Sequence, residues 1–203
     1  MKQVVHVDPG LIIDDVEDIM KLPVVIRVNE FEEEDVEDFD KAISEAHNTK
    51  QPIIPIVVDS YGGSAYGVLG MIASIENSRL PVATIVTSKI MSAGTILFAW
   101  GSEGYRFIDP HAQVMLHDIA SMAMGKIEDL KVDIKHTEHL NTMLYKRMAK
   151  RLGHPEDYFL NLLDKHHHVD IYMTAKDAKK HRIANHLRVP TLDISIKLEM
   201  SLN

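Results

Sequence analysis

Apolar segments rich in β-branched residues alternate with helix-like stretches through the first 120 residues of this 203-residue chain. Proline, glycine or polar residues bound these segments, as they bound buried strands. The strands are expected at 24–28, 53–58, 82–87, 105–109 and 113–117, and the helices at 31–48, 65–77 and 92–100. This order predicts an α/β fold with much parallel pairing. The ends of such strands tend to carry active groups.

A longer amphipathic stretch follows at 126–152. Its apolar residues are spaced for one helical face, and Gly153 and Pro155 end the pattern. A single helix of this length would extend for roughly 40 Å. The pattern leaves two interpretations open: the helix projects and packs against another subunit, or it lies across its own sheet.

The composition excludes several classes of function. The chain has no cysteine, so disulfides, thiol nucleophiles and thiolate metal sites are excluded. A formal charge of −8 disfavours binding to nucleic acid and anionic membranes. Because the sequence shows no signal-peptide core and no apolar run near the roughly 18 residues of a membrane span, we expect a soluble, cytoplasmic, single-domain protein.

Two turns between strands and helices could carry chemistry. In the first, Ser60-Tyr61-Gly62-Gly63 ends a strand, and its glycine amides could face a developing negative charge. It could equally be an ordinary turn. In the second, Ser92 stands at the start of a helix beside Ala93 and Gly94. This serine is either a nucleophile next to the positive end of the helix dipole or simply the helix cap.

The third candidate is His117, at the end of the apolar strand Val114-Met115-Leu116. A strand end can present an imidazole to a cleft, although a histidine there can also just contact water. Ser92 follows Gly63 by 29 residues and precedes His117 by 25. The order and spacing of the three motifs are more informative than any one of them alone.

These motifs resemble the ClpP family, the proteolytic chamber subunits that work with AAA+ unfoldases. The resemblance extends from about Pro23 to about Asn185. It implies a ClpP/crotonase-like α/β fold of repeated β-β-α units with a protruding handle helix. The corresponding division of residues 1–203 is an N-terminal arm at 1–22, a head at 23–125 and 154–203, and a handle at 126–152.

The resemblance also implies a function, that of a serine endopeptidase. It implies Ser92, His117 and Asp170 as the catalytic triad, the last because Val169-Asp170 precedes the helix start Met173-Thr174-Ala175. It places the oxyanion hole at the amides of Gly63 and Ala93 and requires neither cofactor nor metal. The implied partners are stacked homo-heptameric rings of the same chain, an AAA+ unfoldase such as ClpX, ClpA or ClpC, and unfolded proteins or short peptides as substrates.

The chain departs from the family pattern at several positions. Tyr61 stands where the family has proline, Asp118-Ile119 where it has Gln-Pro, Ile171 where a basic residue is common, and Arg182 where a glycine is found. About four extra residues lie between Gly153 and Asp170, including the run His166-His167-His168. Asp164 is therefore an alternative acid. His166 and His168 could hold a metal if that run is extended, or could lie in a solvated loop.

Four other functions remain as alternatives. A non-catalytic or latent ClpP-like ring subunit would keep the fold for assembly or regulation. A peptidase with a Ser-Lys dyad would use Lys89, but it would leave His117 without a catalytic role. A crotonase-type acyl-CoA enzyme would share the broad fold and the paired amides. An α/β interaction protein would use none of these residues chemically.

Overall fold

The computed structural model describes residues 23–49, 51–122 and 124–191, and the expected N-terminal arm at 1–22 lies outside these residues. The strands are β1 (Ile26–Val28), β2 (Ile54–Val58), β3 (Val82–Val86), β4 (Lys89–Met91), β5 (Arg106–Ile108), β6 (Gln113–Leu116) and β7 (Ile171–Thr174). The helices are α1 (Glu33–Ala46), α2 (Ala65–Glu76), α3 (Ala93–Ala99), α4 (Ile127–Arg151), α5 (Tyr158–Lys165) and α6 (Ala175–Lys180). The expected α/β fold class is confirmed.

The larger sheet contains four parallel strands in the order β1-β2-β3-β5. Ile26, Ile56, Thr84 and Arg106 lie in register across it. Helices α1 and α2 connect consecutive strands of this sheet and pack on each other. Strands buried on both faces read as continuous apolar runs, which is why β2 and β3 are recognisable in the sequence.

The smaller sheet contains β4, β6 and β7. Strands β4 and β6 run parallel, whereas β7 runs antiparallel to β6. The pairing of Met91 with Met115 and of Leu116 with Ile171 brings the ends of three chain segments together. Ser92, His117 and Asp170 stand next to those paired residues, so this sheet positions the candidate site.

The long helix α4 matches the expected 126–152 within one residue at each end. Its two halves differ in their surroundings. The C-terminal half buries Leu144, Met148 and Ala149 in the main core and packs against α3 and α5. The N-terminal half leaves Ile127 and Ile134 exposed. No helix in the described ranges is long and apolar enough to cross a membrane.

Helix α5 occupies the stretch in which the sequence places extra residues and no helix. It buries Phe159 and Leu163 against the core and ends at the histidine run. His167 and His168 have φ angles of 55° and 59°, so the run forms a left-handed turn after α5. The run is therefore not extended, as a metal site on one strand face would require. Its three exposed imidazoles lie in a turn.

Candidate active site

Ser92 lies in the sharp turn between β4 and α3. Its φ of 51° and ψ of −122° place a non-glycine residue in a sparsely populated backbone region. Such a conformation persists only where the surroundings hold it on several sides. Here the Ser92 amide donates to the Met115 carbonyl at 3.0 Å, and the Ser92 carbonyl accepts the Thr95 amide at 3.0 Å. These two hydrogen bonds therefore help to hold Ser92 in its unusual backbone conformation.

His117 follows β6 directly, and its Nε2 lies 2.7 Å from Ser92 Oγ. The parallel pairing of β4 with β6 brings the two residues together, because each stands just beyond the carboxyl end of its strand. A second contact fixes the backbone of the histidine: the buried Tyr145 hydroxyl on α4 donates to the His117 carbonyl at 2.5 Å. Burial raises the pKa of Tyr145, so its hydroxyl remains a donor. The sequence interpretation overlooks Tyr145, which reads there as one more residue of an amphipathic helix.

Asp170 precedes β7 and faces His117 across the ladder between β6 and β7. Its Oδ1 lies 3.8 Å from His117 Nδ1, which is longer than a hydrogen bond, and half of its side chain is exposed. The alternative acid, Asp164, does not reach His117. It lies on α5, with Oδ1 3.6 Å from Nε2 of His168. Of the two carboxylates, Asp170 is the one beside the Ser92–His117 pair.

Lys89 is engaged elsewhere. Its Nζ donates to Asp59 Oδ1 at 2.8 Å and lies 4.3 Å from the centre of the Tyr61 ring. The hydrogen bond that Lys89 donates to Asp59 raises the pKa of Lys89. A lysine that acts as a general base needs a lowered pKa and contact with the nucleophile. The structure therefore disfavours the Ser-Lys dyad, since the hydroxyl of Ser92 contacts His117 instead.

The two-glycine turn packs directly behind Ser92. Gly62 has a φ of 107°, and a Cβ built there would lie 2.7 Å from Ser92 Cβ and 3.2 Å from Ser92 Oγ. The buried Ser60 braces the turn, because its hydroxyl accepts the Gly62 amide at 3.0 Å and donates to the Asn29 carbonyl at 2.5 Å. Gly62 thus requires glycine for two reasons, its φ and its closeness to the serine.

The two amides expected to form an oxyanion hole belong to the residues that directly follow Gly62 and Ser92. Gly63 follows Gly62 in the turn, and Ala93 is the first residue of α3. The first amides of a helix have no acceptor within the helix and lie at the positive end of its dipole. The Ala93 amide has such a position, which suits a developing negative charge, whereas Gly63 precedes the cap Ser64 of α2.

No group of three or more histidine, aspartate or glutamate side chains that could hold a metal occurs among the residues that the structure describes. His166 and His168 are exposed in the turn after α5. His168 does have a partner, Asp118, whose Oδ2 lies 2.7 Å from its Nδ1. The histidine run therefore corresponds to the solvated-loop interpretation, with one residue in contact with a carboxylate.

A serine hydroxyl held against an imidazole on an α/β fold is the arrangement that serine hydrolases use. Comparison with known proteins gives the particular family. The model of the Clp protease family matches residues 13–189, which is most of the chain. The chain belongs to the Clp protease family.

Individual relatives agree with this assignment at modest identity. The chain is 31% identical over 128 residues to an ATP-dependent Clp protease proteolytic subunit of Bacteroides fragilis strain ATCC 25285, covering 63% of the chain and 60% of that protein. A Bacteroides thetaiotaomicron protein of the same name is also 31% identical over 128 residues, covering 63% of the chain and 56% of that protein. The match thus spans less than two thirds of the length of these curated relatives.

Proposed function

We propose that this chain is a serine endopeptidase that hydrolyses peptide bonds in unfolded proteins and short peptides. Ser92 is the nucleophile, His117 the general base and acid, and Asp170 the carboxylate that orients the imidazole. The observation that supports the proposal most directly is the 2.7 Å contact between Ser92 Oγ and His117 Nε2. It occurs at a strained turn that backbone hydrogen bonds of Ser92 hold in place. Membership of the Clp protease family supports it.

The reaction proceeds by two acyl transfers. Ser92 Oγ bonds to the substrate carbonyl carbon while its proton passes to His117 Nε2. The carbonyl oxygen becomes an oxyanion, which the amides of Gly63 and Ala93 stabilise. The carbon–nitrogen bond then breaks, and His117 returns its proton to the leaving amine. Water repeats the sequence on the acyl-enzyme and releases the second product.

Asp170 acts on the imidazole and not on the substrate. A carboxylate at Nδ1 selects the tautomer whose Nε2 accepts the Ser92 proton, and it stabilises the imidazolium that forms. The present separation of 3.8 Å requires a small movement before Asp170 Oδ1 accepts a hydrogen bond from His117 Nδ1. This gap favours one second candidate function, a latent ring subunit in which the serine–histidine pair is assembled and the acid is not engaged.

Assembly and partners follow from the family. We propose that the chain forms stacked homo-heptameric rings that enclose the Ser92 sites, and that an AAA+ unfoldase of the ClpX, ClpA or ClpC type delivers substrates. The exposed apolar residues in the N-terminal half of α4, including Ile127 and Ile134, suit a helix that packs against another subunit.

The test compares the wild-type chain with Ser92→Ala and with Ser88→Ala, the latter an exposed serine four residues earlier. A fluorophosphonate probe should label the wild type and Ser88→Ala at equal rates and leave Ser92→Ala unlabelled. Turnover of a short fluorogenic peptide should follow the same pattern. Labelling without turnover would favour the latent subunit, and equal labelling of Ser92→Ala would refute the proposed nucleophile.

A further inference from the structure

Two side chains that the proposed reaction does not use lie in contact beside the candidate triad. Asp118 immediately follows His117, and His168 stands two residues before Asp170. His168 Nδ1 and Asp118 Oδ2 are 2.7 Å apart. Asp118 is one of the departures from the family pattern, and His168 belongs to the extra residues before Asp170. Two positions at which this sequence departs from the family pattern are therefore in direct contact.

The aspartate is fixed from its other side. Asn141 on α4 donates from Nδ2 to Asp118 Oδ1 at 2.5 Å, and Asn141 Oδ1 accepts the Ile119 amide at 3.0 Å. Both oxygens of the Asp118 carboxylate therefore have partners. The contact joins three segments: the one that carries His117, the long helix α4, and the turn that leads to Asp170.

His168 lies in a backbone conformation that is unfavourable for a residue other than glycine. His167 and His168 are consecutive non-glycine residues with left-handed backbones. Each such residue costs roughly 1–2 kcal/mol, so the turn needs contacts that hold it. The His168 amide donates to the Leu163 carbonyl at 3.0 Å, and the imidazole lies between Asp118 and Asp164. The side-chain contact with Asp118 thus helps to fix the path of the chain into Asp170.

The position of this contact relative to the sheet suggests its role. The last registered pair of the ladder between β6 and β7 is Leu116 with Ile171. His117 and Asp170 stand just beyond that pair. Asp118 lies one residue further out on its segment and His168 two residues further out on the other, and their side chains meet there. The base and the acid of the proposed triad therefore lie between a backbone pair on one side and the Asp118–His168 side-chain contact on the other.

We propose that the Asp118–His168 pair is a positioning clamp that holds Asp170 within reach of His117 Nδ1. The clamp rests on the proposed function, since it acts on the proposed triad. Exposed ion pairs contribute only about 0–1 kcal/mol to stability, and His168 is largely exposed. Loss of the clamp is therefore expected to impair the site much more than the fold.

The test uses three single substitutions in the full chain. His168→Ala removes the imidazole. His168→Asn keeps a donor near the position of Nδ1 and tolerates the left-handed backbone. His167→Ala is the matched control, because the neighbouring residue has the same backbone conformation and an exposed side chain.

Rates of Ser92 labelling and the separate kcat and KM for the peptide are the primary measurements. A displacement of about 1 Å in a reacting group can cost roughly a hundredfold in rate. We expect His168→Ala to lower the labelling rate and kcat by on the order of ten- to a hundredfold with little change in KM. His168→Asn should restore most of the rate, and His167→Ala should match the wild type.

A second background separates positioning from a general structural effect. Asp170→Asn removes the carboxylate that the clamp positions. Adding His168→Ala in that background should therefore cause no further loss of labelling rate or kcat. Equal losses in both backgrounds would overturn the proposal, and so would an unchanged rate in His168→Ala.

A spectroscopic measurement tests the clamp without relying on catalysis. Once Asp170 closes the 3.8 Å gap and accepts the His117 Nδ1 proton, that proton should be visible by NMR and protected from exchange in the wild type, His168→Asn and His167→Ala. Its resonance is assigned by its absence in His117→Ala. It should be lost in His168→Ala and in Asp170→Asn. Retention in His168→Ala, or absence from the wild type, would overturn the clamp. If the wild type shows this resonance but Ser92 is never labelled, the proposed peptidase activity fails while the clamp stands.

Discussion

Gly62→Ala is the substitution for which the structure gives the most specific expectation. The φ of 107° alone makes any L side chain unfavourable there, by roughly 1–2 kcal/mol. The added Cβ would also lie 2.7 Å from Ser92 Cβ, whereas two carbon atoms prefer about 3.5–4.0 Å. The separation must therefore grow by about 1 Å. Overpacking of this kind costs a further 1–3 kcal/mol or so.

Gly104→Ala provides the matched control. Gly104 has a φ of 82°, and nothing lies within 4 Å of a Cβ built there. The control therefore carries the backbone cost without the collision. We expect Gly104→Ala to lower the free energy of unfolding by roughly 1–2 kcal/mol and to leave the rate of Ser92 labelling unchanged. For Gly62→Ala we expect a loss of about 2–5 kcal/mol.

The rate of Ser92 labelling distinguishes the backbone cost of the substitution from the collision with Ser92. Because the collision displaces Ser92, Gly62→Ala should lower the labelling rate roughly a hundredfold. Chemical denaturation gives the stability of both variants, and fluorophosphonate labelling of the folded fraction gives the rate. If Gly62→Ala labels at the wild-type rate, Ser92 does not depend on this packing contact, and the account of the turn given above is wrong.

Three further outcomes follow from single contacts. Tyr145→Phe should cost about 1–3 kcal/mol and slow serine labelling, because it leaves the part-buried His117 carbonyl without its donor; denaturation and labelling of this variant measure both effects. Burial raises the pKa of Glu76, but the hydrogen bond from Trp100 and the nearby arginine charges outweigh burial and lower it overall. Its contribution to stability is therefore present above the unfolded pKa and lost as the pH falls through the folded value, so Glu76→Gln should flatten the acid limb of the stability profile. Burial lowers the pKa of His181, so the unfolded chain binds its proton first as the pH falls through the ordinary histidine value of 6.5. Stability should decline as the pH falls through that value, and less steeply in His181→Asn; chemical denaturation at a series of pH values measures both.

Much of the fold is predictable because its signals are local. The strand expected at 82–87 is observed at Val82–Val86, and the helix expected at 126–152 at Ile127–Arg151. Proline or glycine bounds each of these segments, and burial on both faces makes β3 a continuous apolar run. Ser92 and His117 are identifiable for a related reason, since each stands where such a segment ends.

The segment between α4 and β7 is not predictable in the same way. Helix α5 has eight residues, too few to be stable alone, and it depends on burying Phe159 and Leu163 in the core. The contact of Asp118 with His168 joins residues 50 positions apart. No local pattern encodes such a contact, because it depends on the antiparallel placement of β7 against β6.

Two serines at helix starts show why the sequence alone left Ser92 ambiguous. Ser64 precedes α2 with a φ of −59°, and its hydroxyl accepts the Gly67 amide at 3.3 Å, as an ordinary cap does. Ser92 occupies the equivalent position before α3, yet within the described residues its side chain makes no capping hydrogen bond. Its φ of 51° turns the hydroxyl to His117 instead. The two serines therefore differ in what their hydroxyls contact: Ser64 caps its helix, and Ser92 contacts the imidazole of His117. Because the Ser92 hydroxyl accepts no amide of α3, the Ala93 amide at the start of that helix can donate to the oxyanion that the proposed reaction creates.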